Sequence, residues 1–144
     1  MIIADQADLF EQKINAIAND LDNGTLVFET ENGELTVSAV TSVRNEYEAL
    51  DKAIKEEVAE SVVETLEKYE RAIEIANLFN KLDGVQNYAT KSEAEQQAIK
   101  TAYDSVKADL QAYYNSDEYT EINALIGQNL KANYTKAVKI FEAE

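Results

Sequence analysis

The 144-residue chain contains no cysteine, no histidine and no proline, and only four glycines. Without cysteine there are no disulfides and no thiolate metal sites. The absence of histidine removes the commonest general base and the commonest metal ligand together. Lacking proline and nearly lacking glycine, the chain suits long uninterrupted helices. Basic residues are also scarce, with 13 against 28 acidic ones and a formal charge of −15. Such a surface repels phosphate backbones and anionic lipid. The lysines are spread along the chain, mostly beside glutamates, so no basic stripe is expected and neither is nucleic-acid binding. No apolar run approaches the roughly 20 residues of a membrane span, so membrane insertion is not expected. The opening MIIADQADLF has no basic region ahead of its apolar residues and shows no signal peptide.

What is present is helical periodicity. A chain of this length is one domain by the usual size prior, and it buries roughly 68–70% of the surface of its unfolded form. Leu9, Phe10, Ile14, Ile17, Ala18 and Leu21 recur at helical spacing and predict a first helix over 5–22, stopped by Asn23-Gly24. Residues 25–38 carry the strand signal, with Leu26, Val27, Phe28, Leu35 and Val37 around Asn32-Gly33, the favoured dipeptide of a two-residue hairpin. The helical period then returns from Val40 to Ala76 in steps of three or four. It predicts a helix over 39–82 ending before Asp83-Gly84, with Leu50-Asp51 the point at which it would break. A helix over 92–115 opens on Ser92 and Glu95, a capping box. It carries Ile99, Tyr103, Val106, Leu110 and Tyr113 at alternating four- and three-residue spacing. The last helix spans 117–142. Short connections make such helices antiparallel neighbours. The expected fold is mainly α, an antiparallel helical bundle with a small β-hairpin near the N-terminus.

KEEVAESVVETLEKYE, residues 55–70, packs six glutamates into sixteen positions. With Val58 at zero on a helical wheel, Ile54, Val62, Leu66, Tyr69, Ile73 and Ala76 fall between about −40° and +80°. Glu56, Glu57, Glu60, Glu64, Glu67 and Glu74 fall between about 160° and 260°, on the opposite face. Metal sites in bundles project carboxylates inward from facing helices, so a solvated face is expected here, with no metal and no cofactor. Glu56-Glu57-Val58-Ala59-Glu60 resembles the first carboxylate motif of the all-α, magnesium-dependent nucleoside triphosphate pyrophosphatases. Their second motif, Glu-x-x-Asp, meets only Asn80-Lys81-Leu82-Asp83 here, with asparagine in the place of glutamate.

No glycine-rich phosphate loop exists, and serine has no histidine base. Catalytic residues are accordingly expected to be absent. Tyr113, Tyr114, Tyr119 and Tyr134 gather near the last two helices. Tyr113, Tyr119 and Tyr134 read either as core edges with their hydroxyls in water or, with Tyr114, as a patch binding carbohydrate or protein. Tyr69 and Tyr103 read as core. Asn23-Gly24-Thr25 and Asn133-Tyr134-Thr135 match the glycosylation sequon but read more simply as a cap and a surface position.

LTVSAVTSVRNEYEALDKAIKEEV, followed by LEKYERAI, resembles the small helical repeat of large Gram-positive cell-surface and S-layer proteins. The positions that carry the resemblance are Leu35, Val37, Val40, Val43, Arg44, Tyr47, Leu50, Lys55, Val58, Leu66, Glu70 and Ile73. They cover about a quarter of the chain; the lead-in lacks proline and the Val58–Leu66 gap is long. The resemblance implies a non-enzymatic spacer, assembly or adhesion module at the bacterial cell surface. Its partners would be protein or cell-wall carbohydrate, and homo-oligomerisation is open. The alternatives are a cytoplasmic or phage-type helical adaptor and the pyrophosphatase.

Overall fold

In the computed structural model, which describes residues 3–22 and 24–142, the chain is mainly α, a helical bundle with a small antiparallel hairpin. The elements are α1 (Ile3–Asn19), β1 (Glu29–Glu31), β2 (Glu34–Thr36), α2 (Ser38–Ala49), α3 (Lys52–Glu57), α4 (Glu60–Asn80), α5 (Glu93–Tyr114), α6 (Glu118–Ile122) and α7 (Gln128–Phe141). Two 3₁₀ turns, Val85–Thr90 and Asn123–Leu125, connect α4 to α5 and α6 to α7. Contacts divide the chain into two compact units, 1–73 and 74–144, with the boundary inside α4.

In the first unit, α1 buries Ala7, Phe10, Ile14 and Ile17, spaced three, four and three apart, and packs on α2 and α3. It ends at Asn19, three residues before the expected stop. Asn23 lies outside the described residues, while Gly24 takes a positive φ of 84°. Leu9, counted on the apolar stripe, stays 41% exposed. The expected hairpin over 25–38 shortens to two three-residue strands, because Leu26 is buried and a bridge between Asp22 and Thr25 occupies the lead-in. Asn32 and Gly33 close it with φ of 53° and 82°, the twin positive angles that a type I′ turn demands.

The expected 39–82 helix is three helices. Leu50, Asp51 and Val58 are extended, with ψ of 145°, 151° and 126°. A straight rod could not follow α1 with both α2 and α3. The two breaks turn the chain so that Ile54, Val58 and Val62 all stay buried. Arg44 joins α2 to α4 through a forked pair with Glu70, Nε to Oε2 at 2.9 Å and Nη2 to Oε1 at 2.6 Å. The same guanidinium reaches Glu48 at 3.0 Å, and Arg44 and Lys55 both lie about 5.5 Å from the Tyr47 ring centre (5.5 and 5.4 Å). Phe10 packs on that ring from α1 at 5.4 Å.

In the second unit α5 begins as expected: the Ser92 hydroxyl accepts from the Glu95 backbone N–H and the Glu95 carboxylate accepts from the Ser92 N–H. Before it, Gly84 ends the α4 turn with φ 92°, and an added Cβ would stand 2.9 Å from Lys91 Cε. The expected 117–142 helix is interrupted. Ile126 and Gly127 are extended, which lets Ile122 and Ile126 both reach 1% exposure before α7 starts. Helices α5 and α7 run antiparallel, since Tyr103 meets Phe141 while Tyr114 meets Tyr134.

Arg44 and Glu70 side chains are only 27% and 31% exposed, so their fork is partly sheltered from water. Lysine cannot reproduce two parallel donors. Arg44→Lys is therefore expected to lower stability by about 1 kcal/mol, measured by urea unfolding, and Glu70→Gln by a similar amount. Full stability in both variants would remove the fork from the account.

Candidate functional site

All four tyrosines singled out in the sequence come together in the second unit. Tyr113 and Tyr114 end α5, Tyr119 lies on α6 and Tyr134 on α7. Tyr114 stacks on Tyr134 at 5.4 Å and 19°, and meets Tyr113 and Tyr119 at 5.3 Å each. Phe79, from the end of α4, sits edge-on to Tyr113, Tyr114 and Tyr134 at 6.2–6.5 Å. The network continues from Tyr134 through Tyr103 and Phe141 to Tyr88. Offset and edge-on pairs at these distances are the favoured aromatic geometries. Phe79 was not singled out in the sequence reading, and its place every third or fourth residue after Ile75 and Ala76 is the signal that marks it as core.

The four are not equivalent. Tyr113 is 1% exposed and its hydroxyl has no partner among the described residues, so the expectation of a hydroxyl in water fails there. The short α6 folds back over the end of α5 and covers that ring. Tyr114, Tyr119 and Tyr134 are half-buried. Tyr103 and Tyr69 are core, as expected, at 0% and 6%. Burial pushes the Tyr113 and Tyr114 phenols up to about 12, and raises Tyr134 as well. The Tyr103 phenol is raised by burial and by its hydrogen bond to Glu142, where O–H to Oε2 is 2.7 Å. The same carboxylate oxygen accepts from Lys107 Nζ at 2.7 Å. Those two donors, Lys107 first, hold the Glu142 carboxyl below its ordinary range.

Beside the stacked rings lies an open groove of about 510 Å³, mostly apolar, bordered by Tyr114, Tyr134 and Val138, with Gln111, Asn115, Thr135 and Lys139 at its rim. A second groove of about 370 Å³ continues along α7. Thr135 and Lys139 line both, and Gln86, Gln128, Lys131, Ala132 and Lys136 complete the second. Lys131 Nζ donates to the Asn123 carbonyl at 3.1 Å, and burial lowers its pKa. Lys131, Lys136 and Lys139 have no carboxylate partner among the described residues. The view that the lysines are scattered therefore needs correction at α7. Residues 122–141 contain three lysines and no aspartate or glutamate, and that acid-free stretch is the signal that would have found the groove.

Comparison of the chain with protein-family models, with curated proteins and with solved structures finds no match in any of the three. The site is read from its own chemistry.

The solvated acidic face expected over residues 56–74 is present, although the helix is broken at Val58. Glu56, Glu57, Glu60, Glu64, Glu67 and Glu74 are all exposed. Among the described residues, no group of three acidic side chains is placed to hold a metal ion, and no helix is long and apolar enough to cross a membrane. Asn133 of one sequon is half-buried, with its side-chain oxygen 3.4 Å from Gln86 Nε2. Asn23 of the other lies outside the described residues.

Phenols raised above their ordinary value of about 10 stay protonated in the folded chain after the unfolded chain has begun to ionise. Stability fully present below about pH 10 is thus lost progressively as pH rises towards about 12. Tyr113→Phe removes a buried hydroxyl that has no partner. It is expected to raise neutral-pH stability by up to about 1 kcal/mol and to move the alkaline unfolding midpoint upward. Circular dichroism across pH 9–12 measures the second effect, and an unchanged midpoint would contradict the burial of that phenol.

Proposed function

We propose that this chain is a non-enzymatic structural or interaction domain, a spacer, assembly or adhesion module of a bacterial surface protein. The observation that carries the reading is that no charged side chain is buried among the described residues. Catalytic acids and bases draw their strength from desolvation and from neighbours that shift their pKa values. Here the lowered carboxyls of Glu29, Glu95 and Glu142 are exposed groups whose hydrogen bonds cap a helix or tie α5 to α7. The Glu56–Glu60 carboxylates face water.

Two further features support contact-making as the role. The tyrosine groove offers an apolar floor with amide, hydroxyl and ammonium groups around it, a composition suited to protein or carbohydrate. The hairpin presents an exposed β1 and an exposed Val27. Four of the twelve positions carrying the resemblance to surface-protein repeats, Arg44, Tyr47, Lys55 and Glu70, form one polar-aromatic cluster.

Purified chain incubated with magnesium and nucleoside triphosphates is expected to show no turnover above the uncatalysed rate. Magnesium-dependent hydrolysis lost on Glu57→Gln would replace this reading with the pyrophosphatase. Antibody labelling of intact source cells is expected to detect the chain outside the membrane. Labelling only after lysis would favour the cytoplasmic adaptor.

A further inference from the structure

We propose that the α7 groove receives the β1–β2 hairpin of a second copy of this chain, giving a head-to-tail contact. The proposal rests on the assembly reading above and names its partner.

Each side carries what the other lacks. Lys136 and Lys139 border the groove without a carboxylate partner among the described residues. On the hairpin, Glu31 and Glu34 are exposed, have no cationic partner among the described residues, and stand directly opposite each other in the strand register. Like charges facing across an antiparallel pair destabilise it, so an incoming pair of ammonium groups relieves a repulsion built into the hairpin tip. Glu29 is already engaged by the Ser38 N–H and hydroxyl, at 3.0 and 2.7 Å. That leaves Glu31 and Glu34 as the available acids.

The apolar parts match in the same way. Val27, 58% exposed, is the most exposed large hydrophobic side chain among the described residues, and it lies two residues before β1. The groove continues from its lysines to an apolar stretch bordered by Tyr114, Tyr134 and Val138. All of β1 is exposed, and an unpaired strand edge is a template for association.

Charge is also unevenly divided. Residues 1–73 hold seventeen acidic and six basic side chains, a net −11, and residues 74–144 hold eleven and seven, a net −4. A hairpin-to-groove contact joins the more acidic unit of one copy to the less acidic unit of the next. At physiological salt the screening length is about 8 Å. Charges outside the contact are therefore damped, while the glutamates and lysines within it still attract. The surfaces differ, so the contact is heterologous, building a ring where its rotation closes and an open chain where it does not.

Sedimentation velocity of the full chain over a concentration series tests this, using Lys136→Glu/Lys139→Glu and Glu31→Lys/Glu34→Lys. Wild type is expected to associate with rising concentration, and less so when salt is raised from about 0.15 M to about 1 M. Each double variant alone sets like charges against each other and is expected to associate at least about tenfold more weakly. An equimolar mixture of the two restores opposite charges at every contact and is expected to associate again. Val27→Ser is expected to weaken association while leaving its salt dependence in place. Circular dichroism confirms that each variant keeps its helices. Association that persists in both double variants, or that the mixture fails to restore, overturns the hairpin contact and leaves the assembly reading standing. A chain monomeric at every concentration, with the groove instead binding an anionic glycan, overturns the contact and keeps an adhesion role. Monomer with no ligand at all overturns both.

Discussion

Every carboxylate in this chain must reach water, and that requirement organises the structure. Twenty-eight acids in 144 residues cannot be buried without partners, because an unpaired buried charge costs several kcal/mol or more. An amphipathic helix meets the requirement cheaply, with one face for the core and one for solvent. In α4, Val62, Leu66 and Tyr69 are buried while Glu60, Glu64 and Glu67 are exposed. One partial exception illustrates the cost: Glu70, turned towards α2, is half-buried where the Arg44 fork meets it with two donors. That pairing raises the already high Arg44 pKa further, so the guanidinium is a fixed positive charge at any accessible pH.

Much of this was legible because periodicity and caps are local. Ser92 and Glu95 mark the start of α5 to the residue, and Asn32-Gly33 marks the turn, since each signal is set by the φ angles or hydrogen bonds of two to four neighbours. The breaks were less legible. A three-four spacing counts residues and is blind to a bend that leaves the apolar face turned inward on both sides. Val43, Tyr47, Leu50, Ile54, Val58 and Val62 keep that spacing through two extended interruptions, and Ile122, Ile126 and Leu130 keep it across Gly127. The groove lysines are spaced five and three apart on one helix and joined by Gln86, 45 residues earlier than Lys131. No local rule unites them.

The tyrosine cluster shows the opposite balance, with position legible and exposure not. Proximity of Tyr113, Tyr114, Tyr119 and Tyr134 follows from an antiparallel α5 and α7 joined by a short connection. Which hydroxyl meets water depends on α6, whose five residues fold back over the end of α5. Tyr113 is left with a buried hydroxyl and no partner among the described residues, a penalty of about 1 kcal/mol. The ring contacts with Phe79, Tyr114 and Tyr119 offset it. Phenylalanine would pack there without the penalty.

Selection for packing alone would also not leave Lys131, Lys136 and Lys139 without carboxylates in so acidic a chain. Glu142 shows what the fold does elsewhere with a nearby acid: it draws in Lys107 and the Tyr103 hydroxyl and ties the end of α7 to α5. Lys91 and Lys100 likewise meet acids four residues on. In the sequence, the positions four residues from each of Lys131, Lys136 and Lys139 are Gly127, Ala132, Thr135, Thr135, Ile140 and Ala143, none of them acidic. The one acid within a turn, Glu142 three residues after Lys139, is already taken by Lys107 and the Tyr103 hydroxyl. Lys131 donates to the Asn123 carbonyl, while Lys136 and Lys139 line the groove with no carboxylate partner among the described residues, a charge that the helix itself does not neutralise.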